Sequence, residues 1–145
     1  MKKMHVSLFV SSLSKSLEFY NSLFGTNPSK VKNEYAKYEL EDPGLIISFI
    51  EKPGVIQNQF GHLGFRVNTQ DELMIRLLEA KQSGLSIKEE IGTSCCYAKQ
   101  DKFWVSDPDG YQWEVYYFHE DVEFNDPHEV QSNGKEETAC CAPPS

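Results

Sequence analysis

One pattern occurs twice in this chain of 145 residues, and each copy opens on a histidine. The first copy starts His5-Val6-Ser7-Leu8-Phe9-Val10, which reads as a strand. Leu17, Tyr20, Leu23 and Phe24 then recur at helical spacing, with Ser14 expected as N-cap and Gly25 as the stop. The second starts His62-Leu63-Gly64-Phe65-Arg66-Val67. It continues into a helix capped by Asn68 or Thr69, with Leu73, Leu77, Leu78 and Ala80 expected on one face, and ends at Ser83-Gly84. Strands are expected after each helix. Tyr35 to Leu40 and Leu45 to Ile50 flank the turn Glu41-Asp42-Pro43-Gly44, and Lys99 to Ser106 and Tyr111 to Tyr117 flank Asp107-Pro108-Asp109-Gly110. This order predicts an α+β fold. The length allows one domain rather than two independent cores.

The domain is expected over 1–118, with modules at about 4–52 and 60–118, followed by an acidic, mobile tail over 119–145. The net charge is −8, but seven acidic residues and one lysine lie between His119 and Ser145, leaving about −2 for the rest. Nothing basic enough to favour nucleic acid occurs. No apolar run reaches the roughly 18 residues of a membrane span, and no secretory segment precedes the first strand, so a cytoplasmic, reducing setting is expected. The four cysteines agree with it. Cys95-Cys96 and Cys140-Cys141 are sequence neighbours with Cα atoms ~3.8 Å apart, shorter than the usual disulfide span, and read as paired free thiols.

Alternate side chains of a strand share a face. His5, Ser7 and Phe9 fall together, as do His62, Gly64 and Arg66, and Gln112, Glu114 and Tyr116, each opposite an apolar face suited to pack on a helix. Glu114 lies four residues after Gly110, and Ser48 lies four after Gly44. A symmetric site would offer histidine and acid twice, yet a serine stands at one acid position. Two histidines and one carboxylate, His5, His62 and Glu114, are therefore the expected metal ligands. That set leaves positions open, as in non-haem Fe(II) oxygen chemistry, and it also suits catalytic zinc. Phe9 and Tyr116 are expected to wall the site, with Tyr97 and Phe103 as further candidates. Arg66, on the face of His62, is placed either to neutralise the carboxylate or as a solvated strand end, and His119 and His128 are expected at the surface.

Thr93-Ser94-Cys95-Cys96-Tyr97 reads as a polar connection. In a loop both sulfurs can turn to one thiophilic atom: trivalent arsenic takes two thiolates and keeps an organic substituent, and Cd²⁺ or Zn²⁺ also suit thiol pairs.

The repeated order and the Asp-Pro-Asp-Gly turn before a strand bearing Glu resemble the vicinal oxygen chelate superfamily, whose two βαβββ modules form a metal-binding cup. The histidine strand, the Thr-Ser-Cys-Cys-Tyr-Ala segment and the Cys-Cys-Ala-Pro ending together look like the organoarsenical carbon–arsenic lyases, the ArsI family, some labelled cadmium-induced proteins. That resemblance implies an Fe(II)-dependent dioxygenase with O₂ as cosubstrate, which removes the organic group from trivalent organoarsenicals and releases arsenite. It implies iron on His5, His62 and Glu114 and the arsenical on Cys95 and Cys96, in a monomer or homodimer. Sequestration of cadmium or arsenicals by the thiols, and another metal-dependent activity of the superfamily, are the alternatives the residues leave open.

Overall fold

The computed structural model describes residues 2–95 and 98–121, the side chains at 92–95, 98–99 and 120–121 excepted. Its elements run β1 Met4–Val10, α1 Leu13–Phe24, β2 Lys30–Lys32, β3 Tyr35–Leu40 and β4 Leu45–Glu51. A short 3-10 turn at Pro53–Val55 follows. Then come β5 Leu63–Arg66, α2 Gln70–Gln82, β6 Ile87–Cys95, β7 Ala98–Ser106 and β8 Gln112–Asp121. The βαβββ order occurs twice. Each copy closes a four-stranded sheet, in the orders β1-β4-β3-β2 and β5-β8-β7-β6. In both, the opening strand runs parallel to the last strand, and the remaining neighbours are antiparallel. The described residues fall into two compact units, those within Met1–Phe60 together with Asp107–Tyr111, and those within Gly61–Ser106 and Gln112–Ser145.

In the first unit α1 starts two residues earlier than its spacing suggests. Ser12, not Ser14, is the N-cap: its hydroxyl accepts from the Lys15 amide, and Leu13 is already helical with its N–H donating to the Glu51 carboxylate at 2.8 Å. The helix stops at Gly25, whose φ of 65° suits a residue without Cβ. Tyr20 and Phe19 are buried on its sheet side, and the Tyr20 ring stacks on Phe49 at 4.2 Å. Val10, Tyr38, Ile47 and Phe49 are fully buried and complete this core. Asp107–Tyr111 belongs to the same unit. Tyr20 donates to Asp107 Oδ2 at 2.6 Å, the Ser11 amide and hydroxyl both donate to the Asp109 carboxylate, and the Tyr111 hydroxyl donates to the Phe9 carbonyl at 2.8 Å. Burial pushes the Asp107 carboxyl above its ordinary pKa, against the pull of the Tyr20 hydroxyl and of the Tyr111 and Asp109 backbone amides, which also donate to it.

In the second unit Thr69 caps α2, accepting from the Glu72 amide at 3.0 Å. Leu73, Leu77 and Ala80 are buried beneath it, whereas Leu78, expected on that face, is 56% exposed. The helical angle explains the difference: at about 100° per residue, Leu77 and Ala80 stay within about 40° of Leu73, and Leu78 turns about 140° away. The Phe65 and Trp113 rings stack at 5.4 Å, and Phe103, Val105 and Val115 are buried. Two further corrections concern the ends of strands. Thr93 to Cys95, expected in a connection, are the last residues of β6 and pair across to β7, Cys95 opposite Ala98. β8 runs on to Asp121, beyond the expected end at Tyr117. His119 is half-buried instead of superficial, with its ring nitrogen 2.9 Å from Asp101. No helix among the described residues is long and apolar enough to cross a membrane.

Candidate metal centre

Strand register decides which side chains of the second unit meet. β5 lies beside β8 with Gly64 opposite Glu114, so His62, two residues before Gly64, points to the same side of the sheet. Across the β7–β8 hairpin Trp104 stands opposite Glu114, and Lys102 is its diagonal neighbour. These four residues converge. His62 Nε2 is 3.2 Å from Glu114 Oε2, and Lys102 Nζ is 3.0 Å from the other oxygen, Oε1. The edge of Trp104 packs against the His62 ring, centroids 4.9 Å apart, and its indole N–H donates to Glu90 at 3.4 Å. The Lys102 side chain is 1% exposed, Glu114 11% and His62 31%, so the carboxylate is bracketed by a fully buried ammonium and a histidine open to solvent.

Gly64 is what lets the two strands meet there. A Cβ at this position would lie 2.3 Å from the Glu114 carbonyl oxygen, far inside van der Waals contact. Any larger residue would push β5 from β8 where the histidine and the glutamate face each other.

The first unit repeats this arrangement with different chemistry. Ser7 stands opposite Ser48, as Gly64 stands opposite Glu114, and His5 is two residues before Ser7. His5 Nε2 is 3.4 Å from Ser48 Oγ, and the Tyr35 hydroxyl is 3.3 Å from the same oxygen. Tyr35 occupies the diagonal position on β3 that Lys102 occupies on β7. Histidine, acid and ammonium in one unit thus correspond to histidine, hydroxyl and phenol in the other.

Two ligands about 2.0–2.2 Å from one ion, and roughly 90–110° apart around it, stand about 3.0–3.5 Å from each other. The spacing of His62 and Glu114 fits that requirement, and imidazole with carboxylate is a donor set for Fe(II) or Zn²⁺. Among the described residues no group of three or more His, Cys, Asp or Glu side chains is gathered to hold a metal ion. Within the second unit His62 and Glu114 are brought together, and within the first unit His5 lies beside Ser48. Arg66, expected to neutralise the carboxylate, lies over the Phe118 ring at 4.7 Å. The neutralising cation is Lys102. The alternation rule alone does not find it, but counting back from the Asp-Pro-Asp-Gly turn does, because the hairpin register sets it diagonally across from Glu114. The Cys95 side chain, Cys96, Tyr97, His128 and the Cys140-Cys141 pair lie outside the described residues.

Comparison with known proteins agrees with this architecture. Residues 4–115 match the model of the Glyoxalase/Bleomycin resistance protein/Dioxygenase superfamily, and the chain belongs to that superfamily. The fold is shared with a protein of that description from Alicyclobacillus acidocaldarius, at a TM-score of 0.67 and 14% identity over 82% of this chain and 92% of that one. Sequence relatives narrow the class. A trivalent organoarsenical cleaving enzyme of Bacillus sp. (strain MD1) is 45% identical, covering 99% of this chain and 92% of its own. An enzyme of the same name from Thermomonospora curvata is 36% identical over 99% and 90%. The cadmium-induced protein CadI of Mycobacterium tuberculosis is 34% identical over 97% and 93%. Within the superfamily, the chain is a member of the family of trivalent organoarsenical cleaving enzymes and CadI.

Proposed function

We propose that this protein cleaves the carbon–arsenic bond of trivalent organoarsenicals, methylarsenite and trivalent aromatic arsenicals, to give arsenite. The reaction is Fe(II)-dependent with O₂ as cosubstrate. His5, His62 and Glu114 hold the iron, and Cys95 and Cys96 bind the arsenic. The observation that carries the reading is the His62–Glu114 pair at ligand spacing, in a chain similar over nearly its whole length to an enzyme named for this cleavage.

Bound iron would supply O₂ activation at the open positions of a two-histidine, one-carboxylate set. The chain's own residues prepare for it. Lys102 occupies one carboxylate oxygen of Glu114 and leaves the other facing His62. Trp104 fixes the imidazole plane from the side. Ser48, at the place where a second acid would stand, contributes no charge, which keeps the donor set at three. Two neighbouring thiolates would hold arsenic while leaving its carbon substituent in place, so that the bond to be broken is oriented before it reacts.

The decisive experiment incubates the full chain with methylarsenite, Fe(II) and a thiol reductant, with and without oxygen, and follows arsenic speciation. Arsenite is expected to appear only with oxygen and to be lost in Glu114→Ala and in Cys96→Ser. Stoichiometric binding without conversion would overturn the reading in favour of sequestration.

A further inference from the structure

The first unit contains a cavity of about 700 Å³ along the outer edge of β1. Its wall on the strand side is Ser7 and Phe9, which share the face of His5, together with Leu8. At ~3.3 Å per residue, Ser7 lies ~7 Å and Phe9 ~13 Å along the strand from His5. The segment 56–60 and Tyr111 supply the rest of its lining. Tyr111 ties the walls together: its hydroxyl donates to the Phe9 carbonyl at 2.8 Å and accepts from the Gln57 amide. Asn58 donates to the Asp109 carbonyl at 2.7 Å, which anchors the segment further. This is a braced cavity, not a gap under a loose loop.

Its chemistry is specific. Phe9, Phe60 and Tyr111 contribute aromatic rings, Gln57, Asn58 and Gln59 contribute amides, and the Lys52 ammonium lies 5.3 Å over the Phe9 ring. Phe60 lies tilted on Tyr111, centroids 5.8 Å apart, and remains 43% exposed. The volume is within the range of small-molecule sites. A methyl group, close in size to the ~30 Å³ share of one water, would leave nearly all of it to solvent.

We propose that this cavity is the subsite for the organic substituent of the substrate, and that it selects a flat ring bearing hydrogen-bonding groups over a methyl group. The assignment rests on the function proposed above, since it places the substituent along the strand from His5. The ring lies against Phe60 and Tyr111 while its polar substituents meet the amides of Gln57 and Gln59. Aromatic contacts of this kind change affinity roughly two- to tenfold.

Two measurements on the full chain test it. The first compares kcat/KM for phenylarsenite and methylarsenite in the parent, in Phe60→Ala and in Ile56→Trp, which fills the cavity. The phenyl-to-methyl ratio is expected to fall roughly two- to tenfold in both variants. The second titrates metal-free protein with benzamide, a neutral ring without arsenic, and follows amide NMR signals. Shifts are expected at Ser7 and over 57–60 in the parent, weakened in Phe60→Ala. A ratio unchanged in both variants, or benzamide shifts absent from these residues, would overturn the subsite. Absence of any organoarsenical cleavage in the parent would overturn the proposed function instead and is distinguished by normal benzamide shifts.

Discussion

Lys102 is held almost wholly out of water beside Glu114, and that placement sets a large energetic asymmetry. Removing one partner of a buried ion pair leaves the other desolvated without compensation, at a cost of about 3–5 kcal/mol, whereas replacing both is often close to neutral. Lys102→Met is therefore expected to lower the unfolding free energy of metal-free protein by about 3 kcal/mol or more. The double variant Lys102→Met/Glu114→Gln should recover much of that loss, giving a coupling measurable by urea denaturation. Equal losses in the single and double variants would show that the ammonium contributes packing alone. The same residue shows where sequence reasoning stops. His62 and Glu114 were legible because a repeat and a turn each supplied a counting origin. A strand lysine reads as solvated unless the register across the hairpin is also counted, and the burial of this one depends on tertiary packing.

At the level of elements, the duplication extends beyond the order of strands to the register of single side chains. Ser48 and Tyr35 correspond to Glu114 and Lys102, each at a matched place on matched strands. This correspondence predicts a specific rescue. Ser48→Glu alone would bury a carboxylate where Ser48 is 4% exposed, beside a phenol and a histidine, and should destabilise by a few kcal/mol, roughly the cost of an unpaired buried charge. Adding Tyr35→Lys should restore a substantial part by recreating the ion pair of the other copy, with thermal and urea midpoints as the measure. The strands that carry this logic were the legible ones, since apolar alternation and turn residues marked them. β2 was not legible: Lys30, Val31 and Lys32 are all exposed, so burial imprints no pattern on them. β6 was hidden for a different reason. Its pairing with β7 slips between Glu90 and Thr93, and such an irregularity breaks the alternation by which a strand is recognised.

For the molecule as a whole, the end of the ordered sheet matters to any shortened version. Ending the chain at Phe118 would remove His119, which caps the buried Asp101 that Gln70 also reaches, and would strip the last β7–β8 pairs. A chain ending at Phe118 is expected to be less stable than one ending at Asp121 by about 1–3 kcal/mol, the cost of leaving a buried acceptor short of a donor. Matching unfolding midpoints for the two would show that the final three residues add nothing. Duplication suggests a division at the middle into independent halves, but the turn at Asp107–Tyr111, which belongs to the first unit, forbids it. A fragment stopping at Phe60 would leave Tyr20 and Ser11 without their carboxylates and β1 without Tyr111, and the complementary fragment would carry a turn whose partners had been discarded. Neither product of such a division is self-sufficient, so the ancestral boundary still legible in the repeat is no longer a place where the chain can be severed.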